Sequence, residues 1–142
     1  MAAMGQSSGC TCFKLRSLTR RVTQLYDQAL APSGLTVTQY SLLAHVRHHD
    51  GPPSVSELAQ QLFTDRTTLT RNLRPLAGAG LVKVAGGSDA RSKAVMVTQK
   101  GEAALRAARP LWREAQARMR ARAGAGRLAA LHQLIEGMLD AV

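Results

Sequence analysis

Between Ser54 and Lys100 the sequence runs SVSELAQQLFTDRTTLTRNLRPLAGAGLVKVAGGSDARSKAVMVTQK, and the order of signals within it leaves few folds open. Ser54 and Glu57 form an S-x-x-E capping box, in which hydroxyl and carboxylate each satisfy a backbone N–H left free at a helix start. Leu58, Ala59 and Leu62 give that helix its inward face. Phe63 and Thr64 leave room only for a tight turn before Thr64 or Asp65 caps a second helix. The second helix turns Leu69, Leu73 and Leu76 inward, within about 60° of one another at 100° per residue. Pro75 removes a donor and disfavours helical geometry at Arg74, so the last turn is expected to bend or tighten before Gly78 and Gly80 end it. Leu81 to Ala85 and Ala94 to Thr98 are β-prone runs joined by the polar loop 86–93, a hairpin with Arg91 and Lys93 at or near its tip. Helix, tight turn, helix, basic hairpin is the order of a winged helix-turn-helix.

The outward face of the second helix carries Thr67, Arg71 and Arg74, flanked by Thr68 and Thr70, and no carboxylate. Arg places two donors on guanine O6 and N7 or clamps a phosphate, and Thr offers a hydroxyl to base or phosphate and a methyl to thymine. A merely solvated outer face is also polar. The absence of acids, and the position second in a helix-turn-helix, favour DNA contact.

From Cys12 to about Met119 the chain resembles the MarR family of bacterial transcriptional regulators. The likeness is carried by LTVTQYSLL before the helix-turn-helix, LAQQLFTDRTTLTRNLRPLAGAGLV through it, DARS in the wing and VTQKGEAAL after it. The D-x-R wing followed by T-x-x-G is its most specific part. The resemblance implies an obligate homodimer on a pseudo-palindromic site in double-stranded DNA, with the second helices in successive major grooves and Arg91 reaching the minor groove. In many members of that family a small molecule, or oxidation of a thiol, releases the DNA; an oxidant or a small aromatic ligand is the signal expected here.

Composition bounds the same answer. The chain has 142 residues, 45% of them apolar, and a net charge of +10 with a pI near 11. That is one domain's worth of chain, with a modest core and a leaning towards polyanions. Residues 54–100 hold +4 of this charge and residues 101–127 hold +5. The second block, from Arg106 to Arg127, reads as the solvated side of a long helix. Residues 1–9 read as a disordered lead-in without the features of a targeting signal. No apolar run approaches the ~20 residues of a membrane span, so no membrane partner and a cytoplasmic location are expected.

Helices flank the motif. Leu15, Leu18, Val22, Leu25 and Ala29 recur at spacings of three and four, the stripe of a helix lying along another, with Pro32 and Gly34 as its stop. Thr36 and Gln39 form a second capping box, with Leu35 and Tyr40 placed as a hydrophobic staple, for a helix running to about His49. Thr98 is placed to cap a long helix carrying Ala104, Ala108, Leu111, Trp112, Ala115 and Met119, with Pro110 expected to bend it. Gly124 and Gly126 interrupt the pattern before a final helix rich in Leu, Ile and Met. Residues 10–142 thus read as a single, mostly helical domain with a small β-hairpin wing. Its core is 54–100; 10–31 and 99–142 are assigned to dimerisation, with packing inside one subunit as the alternative.

Three further sets of residues carry chemistry. Cys10 and Cys12 point about 200° apart on a helix, so they do not readily bridge each other. Against the peroxide-sensing branch of the MarR family, CFKLRSLTRRVTQLYDQAL aligns without gaps, and the resemblance places Cys12 at the reactive cysteine and Tyr26 at one of its tyrosines. The two other pocket tyrosines of that branch fall on Arg16 and Val37. Arg16, one turn from Cys12, and a helix start capped by Ser8 or Thr11 would both favour a thiolate, making Cys12, Arg16 and Tyr26 the candidate redox sensor. An inert small hydrophobe is the plainer reading of the cysteine. His45, His48 and His49 share helical spacing that can hold zinc, which leaves a zinc-responsive regulator as an alternative, although no carboxylate motif accompanies them and no metal site is assigned. No catalytic constellation or cofactor motif is present. A thiol-based peroxide-reactive enzyme at Cys12 is the competing class, and a winged helix serving only protein contacts is argued against by the acid-free Thr/Arg face.

Overall fold

The computed structural model describes residues 9–89 and 91–142; the assignment of residues 1–8 to a lead-in therefore falls outside the described residues. Six helices and one hairpin follow in the order α1 (Thr11–Leu30), α2 (Val37–His48), α3 (Val55–Gln61), α4 (Arg66–Gly78), β1 (Val82–Gly86), β2 (Lys93–Val97), α5 (Gln99–Ala123) and α6 (Ala125–Ala141). A 3-10 turn, Ala31–Ser33, follows α1, and Gly34 takes the left-handed φ of 77° that ends it.

Caps set the helix starts. Both halves of the boxes at Thr36/Gln39 and Ser54/Glu57 are formed. Of the two candidates for α4, Asp65 is the cap. The start of α1 departs from expectation in that Thr11 does not cap it; the other candidate, Ser8, lies outside the described residues. The Cys10 sulfur accepts the Phe13 N–H at 3.4 Å, and Thr11 is already helical. Proline does not break α4 or α5, which continue past Pro75 and Pro110. Gly126, expected to interrupt the pattern, lies inside α6, and Gly124 at φ 85° makes the break alone.

The hairpin ladder pairs Val82 with Val97 through Gly86 with Lys93. Both strands are displaced by one residue from the expected runs. Pro53 adds a third edge: its carbonyl accepts the Val95 N–H at 2.9 Å, and Ser54 bridges Ala94. The wing is thereby fastened to the start of α3.

The T-x-x-G motif has a physical reason. Thr98 Oγ1 donates to the Gly80 carbonyl at 2.5 Å and accepts the Gly101 N–H at 3.0 Å, so one hydroxyl caps α5 and holds the end of the turn after α4. A Cβ on Gly101 would overlap the Leu81 carbonyl oxygen, a backbone atom with nowhere to go. The close approach requires glycine.

The main core gathers Leu30, Leu43, Leu58, Leu69, Leu76 and Val95, with side chains from α2, α3, α4, the hairpin and the N-terminal half of α5. Leu105, not among the expected inward residues of α5, is buried in it, while Ala104 is only half-buried. A small second cluster, Leu25, Ala29 and Ala115, marks where the C-terminal half of α1 lies on α5. The apolar stripe of α1 thus divides: Leu25 and Ala29 are buried, whereas Leu15 and Leu18 are 50% and 40% exposed. No residue of α6 is buried.

Candidate nucleic-acid interface

Arg66, Thr67, Thr70, Arg71 and Arg74 line one shallow groove of about 300 Å³ along α4. All five are exposed, and among the described residues no carboxylate lies within ion-pairing distance of the three arginines. Leu69, Leu73 and Leu76 anchor the opposite face in the core. A row of free guanidinium and hydroxyl groups on a rigid rod about 20 Å long, at 1.5 Å per residue, has the dimensions and donors to enter a major groove. Sequence reasoning misses Arg66, although it precedes Thr70 and Arg74 at regular four-residue spacing.

Thr68 is held differently from its neighbours. Its N–H and hydroxyl donate to the two oxygens of Asp65 at 2.7 and 2.9 Å, so this side chain closes the helix cap instead of facing outward. The hydrogen bonds from the Thr68 N–H, then its hydroxyl, hold the Asp65 carboxyl below the ordinary aspartate range.

In the wing, Asp89 Oδ1 accepts the Arg91 N–H, the Ser92 N–H and the Ser92 hydroxyl, each at 3.0 Å. The acid of the D-x-R motif therefore shapes the turn, and the exposed Arg91 is left to project from it. The Ser92 N–H, the Ser92 hydroxyl and the Arg91 N–H lower the Asp89 carboxyl in that order of importance. Lys93 is not at the tip. It pairs with Gly86 within the ladder, and with Thr70, Arg74 and Val84 it lines a groove of about 310 Å³ between α4 and the wing.

Both aspartates have folded-state values below the unfolded ~3.9. Their contribution to order is complete above that value and is lost as pH falls through the lower, folded one. In an acid titration the Thr68 and Ser92 amide resonances are expected to move with midpoints below ~3.9. Midpoints at or above it would contradict these bonds.

The candidate sensor residues are spread along α1. Cys10 and Cys12 are exposed free thiols, and Arg16 is exposed one turn beyond Cys12. Tyr26 lies fourteen residues from Cys12, roughly 21 Å along the helix axis, and its hydroxyl donates to Gln116 Oε1 of α5. Burial pushes that hydroxyl above the ordinary tyrosine value. Within one chain, Tyr26 and Cys12 are not brought together.

The histidines are likewise separated in role. His45 Nδ1 lies 2.7 Å from the Ser41 carbonyl oxygen, and His49 Nδ1 lies 2.9 Å from that of Gly51, with Nε2 3.8 Å from Glu57. Among the described residues no group of three or more His, Cys, Asp or Glu side chains is placed to hold a metal. Nor is any helix there long and apolar enough to cross a membrane.

Fold and groove together define a winged helix-turn-helix of nucleic-acid-binding character. The MarR family profile matches residues 33–92. The chain is 43% identical to the M. tuberculosis transcriptional regulator MosR, solved in complex with DNA, over 93% of this chain and 95% of that one, with a TM-score of 0.82. Structures of the transcriptional repressor CouR are also similar. The form bound to a 23-mer DNA duplex is 28% identical, with 96% of each chain covered and a TM-score of 0.81; the form bound to p-coumaroyl-CoA is 25% identical, with the same coverage and a TM-score of 0.80. Comparison with curated protein sequences gave no match. The chain belongs to the MarR family.

Proposed function

We infer that this protein is a cytoplasmic, sequence-specific DNA-binding transcriptional repressor. It acts as a homodimer on a pseudo-palindromic operator and is released by an oxidant or a small molecule. The observation that carries the reading is the acid-free groove of Arg66, Thr67, Thr70, Arg71 and Arg74 on α4, flanked by the Arg91 wing. Thr67, Thr70, Arg71 and Arg74 read the major groove, while Thr68 positions the helix start. Arg91 reaches the minor groove, and Lys93 faces the strand that passes between helix and wing. Residues 10–142 act as one unit that dimerises through 10–31 and 99–142. The DNA-bound states of MosR and CouR support the same partner.

An arginine on the wing binds DNA electrostatically. Replacing Arg91 with Ala is expected to flatten the slope of log affinity against log salt by about one unit for each phosphate the guanidinium neutralises. An identical slope would remove the wing from the interface.

For the signal, the leading reading is oxidation at Cys12. The exposed thiol sits in the first turn of α1 with Arg16 one turn further on, and oxidation there adds bulk and polarity to helices that space the two reading heads. Peroxide is expected to release operator DNA from wild type and from Cys10→Ser protein, but not from Cys12→Ser protein. Footprinting with and without oxidant measures this. Release of Cys12→Ser protein to the wild-type extent would exclude Cys12.

A second reading, an organic ligand, is favoured by one cleft. Tyr40 and Trp112 stack with centroids 5.8 Å apart beside Arg109, Arg113, His45 and His48, lining about 480 Å³ between α2 and α5. Aromatic walls with nearby cations suit an anionic aromatic molecule, and CouR has been solved with p-coumaroyl-CoA. No constellation among the described residues favours a thiol-based peroxide-reactive enzyme or a zinc-responsive regulator.

A further inference from the structure

Phe63 is the one non-glycine residue with a positive φ among the described residues, at 52°. It occupies the left-handed position that closes α3: its N–H donates to the Gln60 carbonyl, and the Thr64 N–H to that of Ala59. This closure ordinarily employs glycine, because a side chain there meets its own backbone. A bulky residue in this conformation is kept against a steric cost. Packing inside the chain does not repay it, since the ring is 72% exposed.

Its place in the fold identifies what covers it. The other exposed large apolar side chains, Val84 and the C-terminal Val142 apart, lie on α1 and α6, away from the helix-turn-helix. Phe63 lies two residues before the Asp65 cap, at the end of α4 where Arg66 and Thr67 begin the cationic groove. The N-terminal end of a recognition helix is the end that approaches base edges. Resting on the DNA-binding reading above, we propose that Phe63 is a specificity or positioning residue that packs on an apolar group of DNA, a thymine methyl or a deoxyribose, at the edge of the major groove. The strain in the turn is the cost of presenting an aromatic ring beside the arginines.

The test combines stability with binding, on an operator first selected from random duplexes. Phe63→Gly and Phe63→Asn both relieve the left-handed strain, and each is expected to raise Tm by about 2 to 6 °C. Each is also expected to weaken operator binding roughly tenfold, with the salt slope unchanged because an uncharged ring neutralises no phosphate. Phe63→Leu keeps an apolar side chain and is expected to keep wild-type Tm and affinity within about threefold. Replacing thymine by uracil in the operator separates the two targets. If the methyl is the partner, uracil at one position weakens wild type but not Phe63→Gly protein; if deoxyribose is the partner, uracil changes neither, and Phe63→Gly protein still binds more weakly. A more stable Phe63→Gly protein that binds as well as wild type would overturn the proposal, as would an unchanged Tm. Arg71→Ala measured in parallel tells the two failures apart. If it weakens binding and Phe63→Gly does not, only the role of Phe63 falls; if neither does, the DNA reading falls with it.

Discussion

Removal of residues 128–142 is expected to leave a monomeric or poorly folded chain with little of its operator affinity. In a single chain no residue of α6 is fully buried: Leu134 is 69% exposed, Met138 51%, Leu139 42% and Ile135 39%. The first half of α1 offers a second apolar surface through Phe13, Leu15 and Leu18. An apolar side chain brought from water into an interface contributes about 1.5 to 3 kcal/mol when fully buried, so surfaces of this richness on two terminal helices suit a permanent partner better than solvent. In the proposed dimer, one reading head held on its half-site would present the other at high effective concentration, a gain of roughly 10²- to 10⁴-fold over single binding. Sedimentation analysis with an operator titration measures both quantities. A well-folded truncated dimer would show that the subunits meet elsewhere.

Replacing Arg71 with Ala is expected to weaken operator binding by about 1 to 3 kcal/mol and to relax preference at one base position. The side chain lies mid-groove between Thr67 and Arg74, with no carboxylate to compete for it among the described residues. A bidentate bond to a guanine edge has this magnitude, whereas a phosphate partner would make all sequences suffer alike. A binding-site library distinguishes the two. Unchanged affinity across the library would remove Arg71 from the interface.

Much of this architecture is legible in the sequence because its signals are local. Capping boxes at Thr36 and Ser54, the hydroxyl of Thr98 and the leucines of α4 each act within one or two helical turns, and each forms as the spacing dictates. The failures have a common physical source, which is competition from neighbours. Thr68 has the same chemistry as Thr67 and Thr70, yet its spacing from Asp65 gives it to the cap. Lys93 is in the ladder because pairing continues to Gly86, a residue that on sequence grounds belongs to the loop. Cys10 caps α1 although thiols are poor acceptors, and periodicity alone does not rank Leu105 over Ala104 on α5. Leu15 and Leu25 stand on one stripe, and only the packing against α5 separates the buried residue from the open one.

The central claim is that two copies of α4 read a specific duplex. Selection of bound sequences from a randomised duplex library with the full-length protein, at fixed physiological salt, tests it most directly. The expected result is a single enriched pseudo-palindrome whose half-sites are centred about 10 base pairs, one helical turn or roughly 34 Å, apart, or a small multiple of this. Recovery of unenriched sequence, with binding that follows only salt concentration, would contradict it.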